Sequence, residues 1–165
     1  MALLCAPCVY ALDDVASVGG TYRYGHVSWN AMGSTVKFTI EAAFKRDICD
    51  VSTWSGTAQD NLTKVGDTVK FPGRQPPRFY FGDGTVERAM TMTVTALSVA
   101  ENWVMGTCTT VHEYSTPNNK GQPWYAHFTG CCRHSRLVNN KDAEWVITAA
   151  VDLNLADKSP KANVL

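Results

Sequence analysis

Apolar and polar residues alternate with a period of two along most of this chain, in short runs broken by turn chemistry. In "TVKFTIEAAF" (35–44), Val36, Phe38, Ile40, Ala42 and Phe44 share one face, while Lys37, Thr39 and Glu41 share the other. "EWVITAAVDL" (144–153) does the same with Trp145, Ile147, Ala149, Val151 and Leu153. Successive side chains of a strand point to opposite faces, so these runs predict half-buried β-strands. Residues 22–29, 67–71, 78–81, 91–99, 103–114 and 124–132 are further β-branched and aromatic segments of strand length. "VGG" (18–20), "AMGS" (31–34), "PGRQPP" (72–77), "GDG" (82–84), "TPNNKG" (116–121) and "VNNKD" (138–142) supply turn residues between them. No longer window keeps a helical apolar face. The pattern predicts an all-β sandwich of about eight or more strands. It spans 21–154, after an apolar N-terminal arm and linker (1–20) and before a tail or linker (155–165).

Composition narrows the class. The 165 residues suffice for one domain with a real core. Charged residues make up 18%, against about 25% in a typical chain. Fifteen basic residues balance fifteen acidic ones, and no Lys/Arg cluster stands out. A nucleic-acid partner is therefore not expected. No apolar run approaches the roughly 20 residues that span a bilayer, so membrane insertion is not expected either. Six cysteines (Cys5, Cys8, Cys49, Cys108, Cys131 and Cys132) favour disulfides and an oxidising compartment, with the pairing left open. "NLT" at Asn61 is a glycosylation acceptor that points the same way. The expected location is extracellular or at the cell surface.

No constellation for catalysis emerges. "CAPC" (5–8) has the spacing of a redox Cys-x-x-Cys, but thioredoxin-like chemistry needs a helix N-terminus in a βαβ unit, and the alternation is all-β. Cys131 and Cys132 lie in a predicted strand, so their thiols are expected to point to opposite faces and reach different partners, Cys108 or Cys49 among them. A bond between the two neighbours is the less favoured alternative. Zinc held by Cys5, Cys8, Cys131 and Cys132, or by His134, is disfavoured for the same geometric reason. The histidines (His26, His112, His127 and His134) lack the H-E-x-x-H spacing. Gly82, Asp83 and Gly84, with Asp67 and Glu87 nearby, lack the spaced oxygens of a calcium loop and read as a structural turn. Trp29, Trp103, Trp124, Trp145, Tyr80 and Tyr125 could line a sugar site, but sandwich spacing places most of them in the core. Neither an enzyme nor a metal or cofactor is expected.

Three stretches resemble polycystic-kidney-disease-type (PKD-like) domains, which are immunoglobulin-like β-sandwiches. "FYFGDGT" (79–85) resembles their Trp-Asp-Phe-Gly-Asp-Gly signature, with Phe79 and Tyr80 replacing Trp-Asp. "VHEYSTP" (111–117) looks like their His-x-Tyr-Ser strand start, and "GQPWYAHF" (121–128) like the Gly-x-Tyr strand that follows. The long spacing from Gly84 to His112 leaves room for an extra pair of strands. The later run "FTGCCR…LVNN…AEWVITAAVDL" is similar to domains repeated in large secreted surface proteins of microbes and protists, where the Cys-Cys-Arg is structural. The resemblance covers roughly residues 35–153 and implies an immunoglobulin-like fold with no stated activity.

The opening "MALLCAPCVYALDD" also resembles the end of a secretory signal, yet it lacks the basic residues that begin one. Either Met1 is not the true start or the segment is retained. A retained apolar arm needs a partner. Leu3, Leu4, Val9, Tyr10 and Leu12 can pair with the chain's own sheet or with the sheet edge of a neighbouring copy. A head-to-tail contact of the second kind builds a filament. The sequence thus suggests an extracellular building block of a surface fibre, partnered by copies of itself. The alternative is a carbohydrate- or protein-binding adhesion module of a larger surface protein.

Overall fold

The computed structural model describes residues 20–46, 63–71 and 77–154, which form nine strands and no helix. In chain order these are β1 (Tyr22–Met32), β2 (Thr35–Lys45), β3 (Thr68–Lys70), β4 (Arg78–Tyr80), β5 (Val86–Glu87), β6 (Thr91–Ser98), β7 (Trp103–Glu113), β8 (Trp124–Gly130) and β9 (Trp145–Val151). They make a five-stranded sheet in the order β1-β2-β7-β6-β3 and a four-stranded sheet in the order β5-β4-β8-β9. Every pairing between named strands is antiparallel.

Alternation becomes burial as expected. In β2, Val36, Phe38, Ile40, Ala42 and Phe44 are buried, and Thr35 and Lys37 are exposed. The two sheets meet through their rings: Phe38 lies 4.9 Å from Phe79 and Phe71 lies 5.3 Å from Phe128, centroid to centroid. Trp145 of β9 stacks on Tyr22 at 4.1 Å and meets Phe44 of β2 edge-on. Each fully buried apolar side chain of this size contributes about 1.5–3 kcal/mol. The Trp29 indole of β1 donates to the Ala150 carbonyl of β9 at 3.1 Å, so one sheet's edge strand caps the other's. This is a two-sheet β-sandwich.

As expected, the long spacing after Gly84 holds an extra pair of strands, β6 and the β7 strand that it joins. The structure differs from the sequence reading in two places. The "VHEYSTP" stretch closes a strand rather than opening one, because His112 and Glu113 are the last paired residues of β7 and lie opposite Val36 and Thr35. Finally, β8 stops at Gly130, so Cys131 and Cys132 lie beyond the pleat and the rule of alternating faces does not govern them.

Candidate functional site

Two tightly bonded nodes sit at opposite ends of the sandwich, with an outward sheet face between them. At the first end, the Gly82-Asp83-Gly84 turn follows β4. Gly82 has φ +91° and Gly84 has φ +96°, a region that only glycine enters readily. At Gly82 an added Cβ would also lie 2.8 Å from the Tyr125 carbonyl oxygen. Asp83 closes the turn by accepting from the Thr85 amide at 3.0 Å and the Thr85 hydroxyl at 2.6 Å. Its other carboxylate oxygen lies 2.6 Å from His112 Nε2. The His112 ring stacks on Phe81 at 4.1 Å. Tyr114 donates its buried hydroxyl to the Phe81 carbonyl at 2.7 Å and stacks on Trp124. The sequence singled out the turn and the His-x-Tyr run separately, and the structure brings them together. The node is a brace: the end of β7 is tied to the chain leaving β4. Replacing Tyr114 by Phe should cost about 1 kcal/mol, because the Phe81 carbonyl loses its donor inside the protein. Urea unfolding of the variant measures this.

At the second end, Cys131 and Cys132 are bonded to each other across a cis peptide. This corrects the expectation of separate partners, and its cause is the early end of β8. Cys108 is buried in β7, opposite Ile40 of β2, and has no disulfide partner among the described residues. Burial, helped by Glu87, pushes its thiol up to about 11, so it stays protonated and unreactive at neutral pH. Cys5, Cys8, Cys49, Asn61 and the arm residues Leu3, Leu4, Val9, Tyr10 and Leu12 lie outside the described residues.

The disulfide opens a segment that grips the start of β1. Tyr22 donates its amide to the Cys132 carbonyl and accepts at its own carbonyl from the His134 amide, at 3.1 and 3.0 Å. Asp142 Oδ1 accepts from the Gly20 amide at 2.9 Å and from the Ser135 hydroxyl at 2.7 Å. Nothing in the alternation pattern announced this clamp. Its available signal was the adjacent cysteines followed by the Asn/Asp-rich stretch, in which Asn140 and Asp142 take positive φ.

The electrostatics give both nodes a common sign. His134 is held below its ordinary value by burial and by Arg23, Lys45 and Arg136. Burial opposes ionisation of Asp83, but bonds from Thr85 and His112 outweigh it and lower its carboxyl. Asp142 is lowered by the Gly20 amide and the Ser135 hydroxyl. A histidine depressed in the folded state binds protons more readily unfolded, so its contribution is complete above its unfolded value of 6.5 and falls below it. The carboxylates' contribution is complete above their unfolded value of 3.8 and is lost as pH drops through their folded values. Thermal stability is therefore expected to fall in two stages on acidification. His134→Gln should flatten the first stage, and a double Asp83→Asn, Asp142→Asn variant the second.

The aromatic residues divide by face. Trp29 and Trp145 are core, and Trp124 packs against it. Tyr80 and Tyr125 are not core, because β4 and β8 turn Phe79, Ala126 and Phe128 inward and so direct Tyr80 and Tyr125 outward. No group of three or more His, Cys, Asp or Glu among the described residues is placed to hold a metal ion.

A two-sheet sandwich braced by a turn at one end and by a disulfide clamp at the other is a β-sandwich module. Its family follows from sequence comparison. Residues 23–154 match the N-terminal domain of the integrin beta-like proteins A–E, and the chain belongs to that family. It is 35% identical over 136 residues to integrin beta-like protein C of Dictyostelium discoideum, covering 81% of this chain and 6% of that protein. Integrin beta-like protein E of the same organism is 33% identical over 138 residues, covering 71% of this chain and 7% of the relative. Protein B is 28% identical over 145 residues, with 86% and 7% covered. The chain thus spans less than a tenth of the length of these relatives. The match does not confirm the PKD-like resemblance; the β-sandwich rests on the two antiparallel sheets. No solved structure matches the chain.

Proposed function

We propose that this domain is a cell-surface adhesion module, presented outside the cell as part of an integrin beta-like protein. The observation that carries this reading is the family match across residues 23–154, nearly the whole sandwich. That span leaves out the arm, which favours an adhesion module over a fibre building block joined through residues 1–12. The Cys131–Cys132 disulfide suits an oxidising compartment. No helix among the described residues is long and apolar enough to cross a membrane. The all-β fold and the family name both fit binding rather than catalysis. Beads coated with the full 165-residue chain should attach to cells that make integrin beta-like proteins, above the level of albumin-coated beads. Attachment equal to albumin overturns the reading.

A further inference from the structure

We infer that the outward face of the four-stranded sheet binds neutral glycans through Tyr125. This deepens the adhesion reading and rests on it. The face is assembled by register: Tyr80 of β4 lies opposite His127 of β8, which lies opposite Thr148 of β9. Tyr125 lies opposite Ala150 on one side, and the Gly82 main chain presses against it on the other. Tyr125 is 54% exposed and its flanking positions in the sheet hold two residues with almost no side chain, which leaves room for a flat ligand ring beside it.

The chemistry of the face selects the ligand. β4, β8 and β9 carry one formal charge among them, that of Arg78, and the two-residue edge strand β5 adds Glu87, so the sheet has no net charge to offer an anion or a highly charged peptide. Tyr80 and His127 stack at 4.8 Å beside Tyr125 and stiffen that side of the face. The hydroxyls of Tyr80, Tyr125 and Thr148 have no partner among the described residues, and neither does His127 Nε2. An aromatic ring with open flanks, ringed by unclaimed neutral hydrogen-bonding groups, matches the apolar ring face and hydroxyl rim of an uncharged sugar.

Titration of the full chain with neutral oligosaccharides of glucose, galactose and N-acetylglucosamine tests this, with sialylated oligosaccharides for comparison. Binding to at least one neutral oligosaccharide is expected. Tyr125→Ala should weaken it roughly tenfold or more, while Tyr125→Trp and Val111→Ala on the other sheet leave it intact. All three variants change exposed side chains and should keep the wild-type melting temperature. The inference is overturned by no binding at about millimolar concentration, by binding of sialylated ligands only, or by binding indifferent to Tyr125. It is also overturned if sedimentation shows a second copy covering this face. In the bead assay, adhesion that persists unchanged with Tyr125→Ala removes the glycan site and leaves the adhesion reading standing. Loss of adhesion by the wild-type chain removes the adhesion reading itself.

Discussion

Replacing Trp145 by alanine should destabilise this domain by about 3–5 kcal/mol, the range for removing a large aromatic from a packed core. Trp145 is 2% exposed and meets Tyr22, Phe44 and Phe128. It joins the start of β1 to both sheets, so the cavity would open where three elements converge. The buried indole N–H has no hydrogen-bond partner among the described residues, and Trp145→Phe removes that uncompensated group along with part of the volume. Stability should therefore rank Trp, then Phe, then Ala, with Phe much nearer to Trp. Urea unfolding of the three proteins gives the order. Tyr22→Ala combined with Trp145→Ala should cost less than the sum of the single changes, because each removes the stack that the other needs. Additive losses would mean that Tyr22 and Trp145 act independently.

Gly20→Ala is expected to cost about 1–3 kcal/mol, as overpacking does in a tight site. The added Cβ would fall on the carbonyl oxygen and carbon of Arg133, and main chain cannot swing aside as a flexible side chain can. The substitution pushes apart the strand start and the segment after the disulfide, so it should break the Gly20 amide bond to Asp142 and loosen the Tyr22–Cys132 and His134–Tyr22 bonds together. Hydrogen exchange at the Tyr22 and His134 amides reads this directly. Faster exchange there, with the centre of β7 unchanged, is the predicted result. Gly33→Ala is the comparison: its Cβ would meet nothing, but its φ of +65° makes alanine costly through the backbone alone, so it should lower stability while leaving exchange at the Tyr22 and His134 amides unchanged. Exchange at those two amides that rises equally in both variants would count against crowding at Gly20 as the cause.

The sheet-forming residues were legible because burial on one face writes a period of two into the sequence. The run 35–44 announced β2, and 144–153 announced β9, down to which side chains point inward. The Gly82-Asp83-Gly84 turn was legible as well, since two glycines around an aspartate meet a local backbone requirement. Its bond to His112 was not, because contacts between residues far apart in sequence depend on how strands are ordered in a sheet. The Cys131–Cys132 pairing was misread through one boundary: had β8 run two residues further, the thiols would have faced apart. Sandwich spacing placed most of the six singled-out aromatics in the core without saying which. The alternation of Tyr80 and Tyr125 with Phe79, Ala126 and Phe128 sets those two on the outer face.

The measurement that tests the central claim most directly uses Fab fragments raised against the folded domain, applied to intact cells that make the parent protein. The adhesion account predicts staining without permeabilisation and reduced attachment of those cells once the Fab is bound. Staining that appears only after permeabilisation, or surface staining with attachment unchanged, would contradict it.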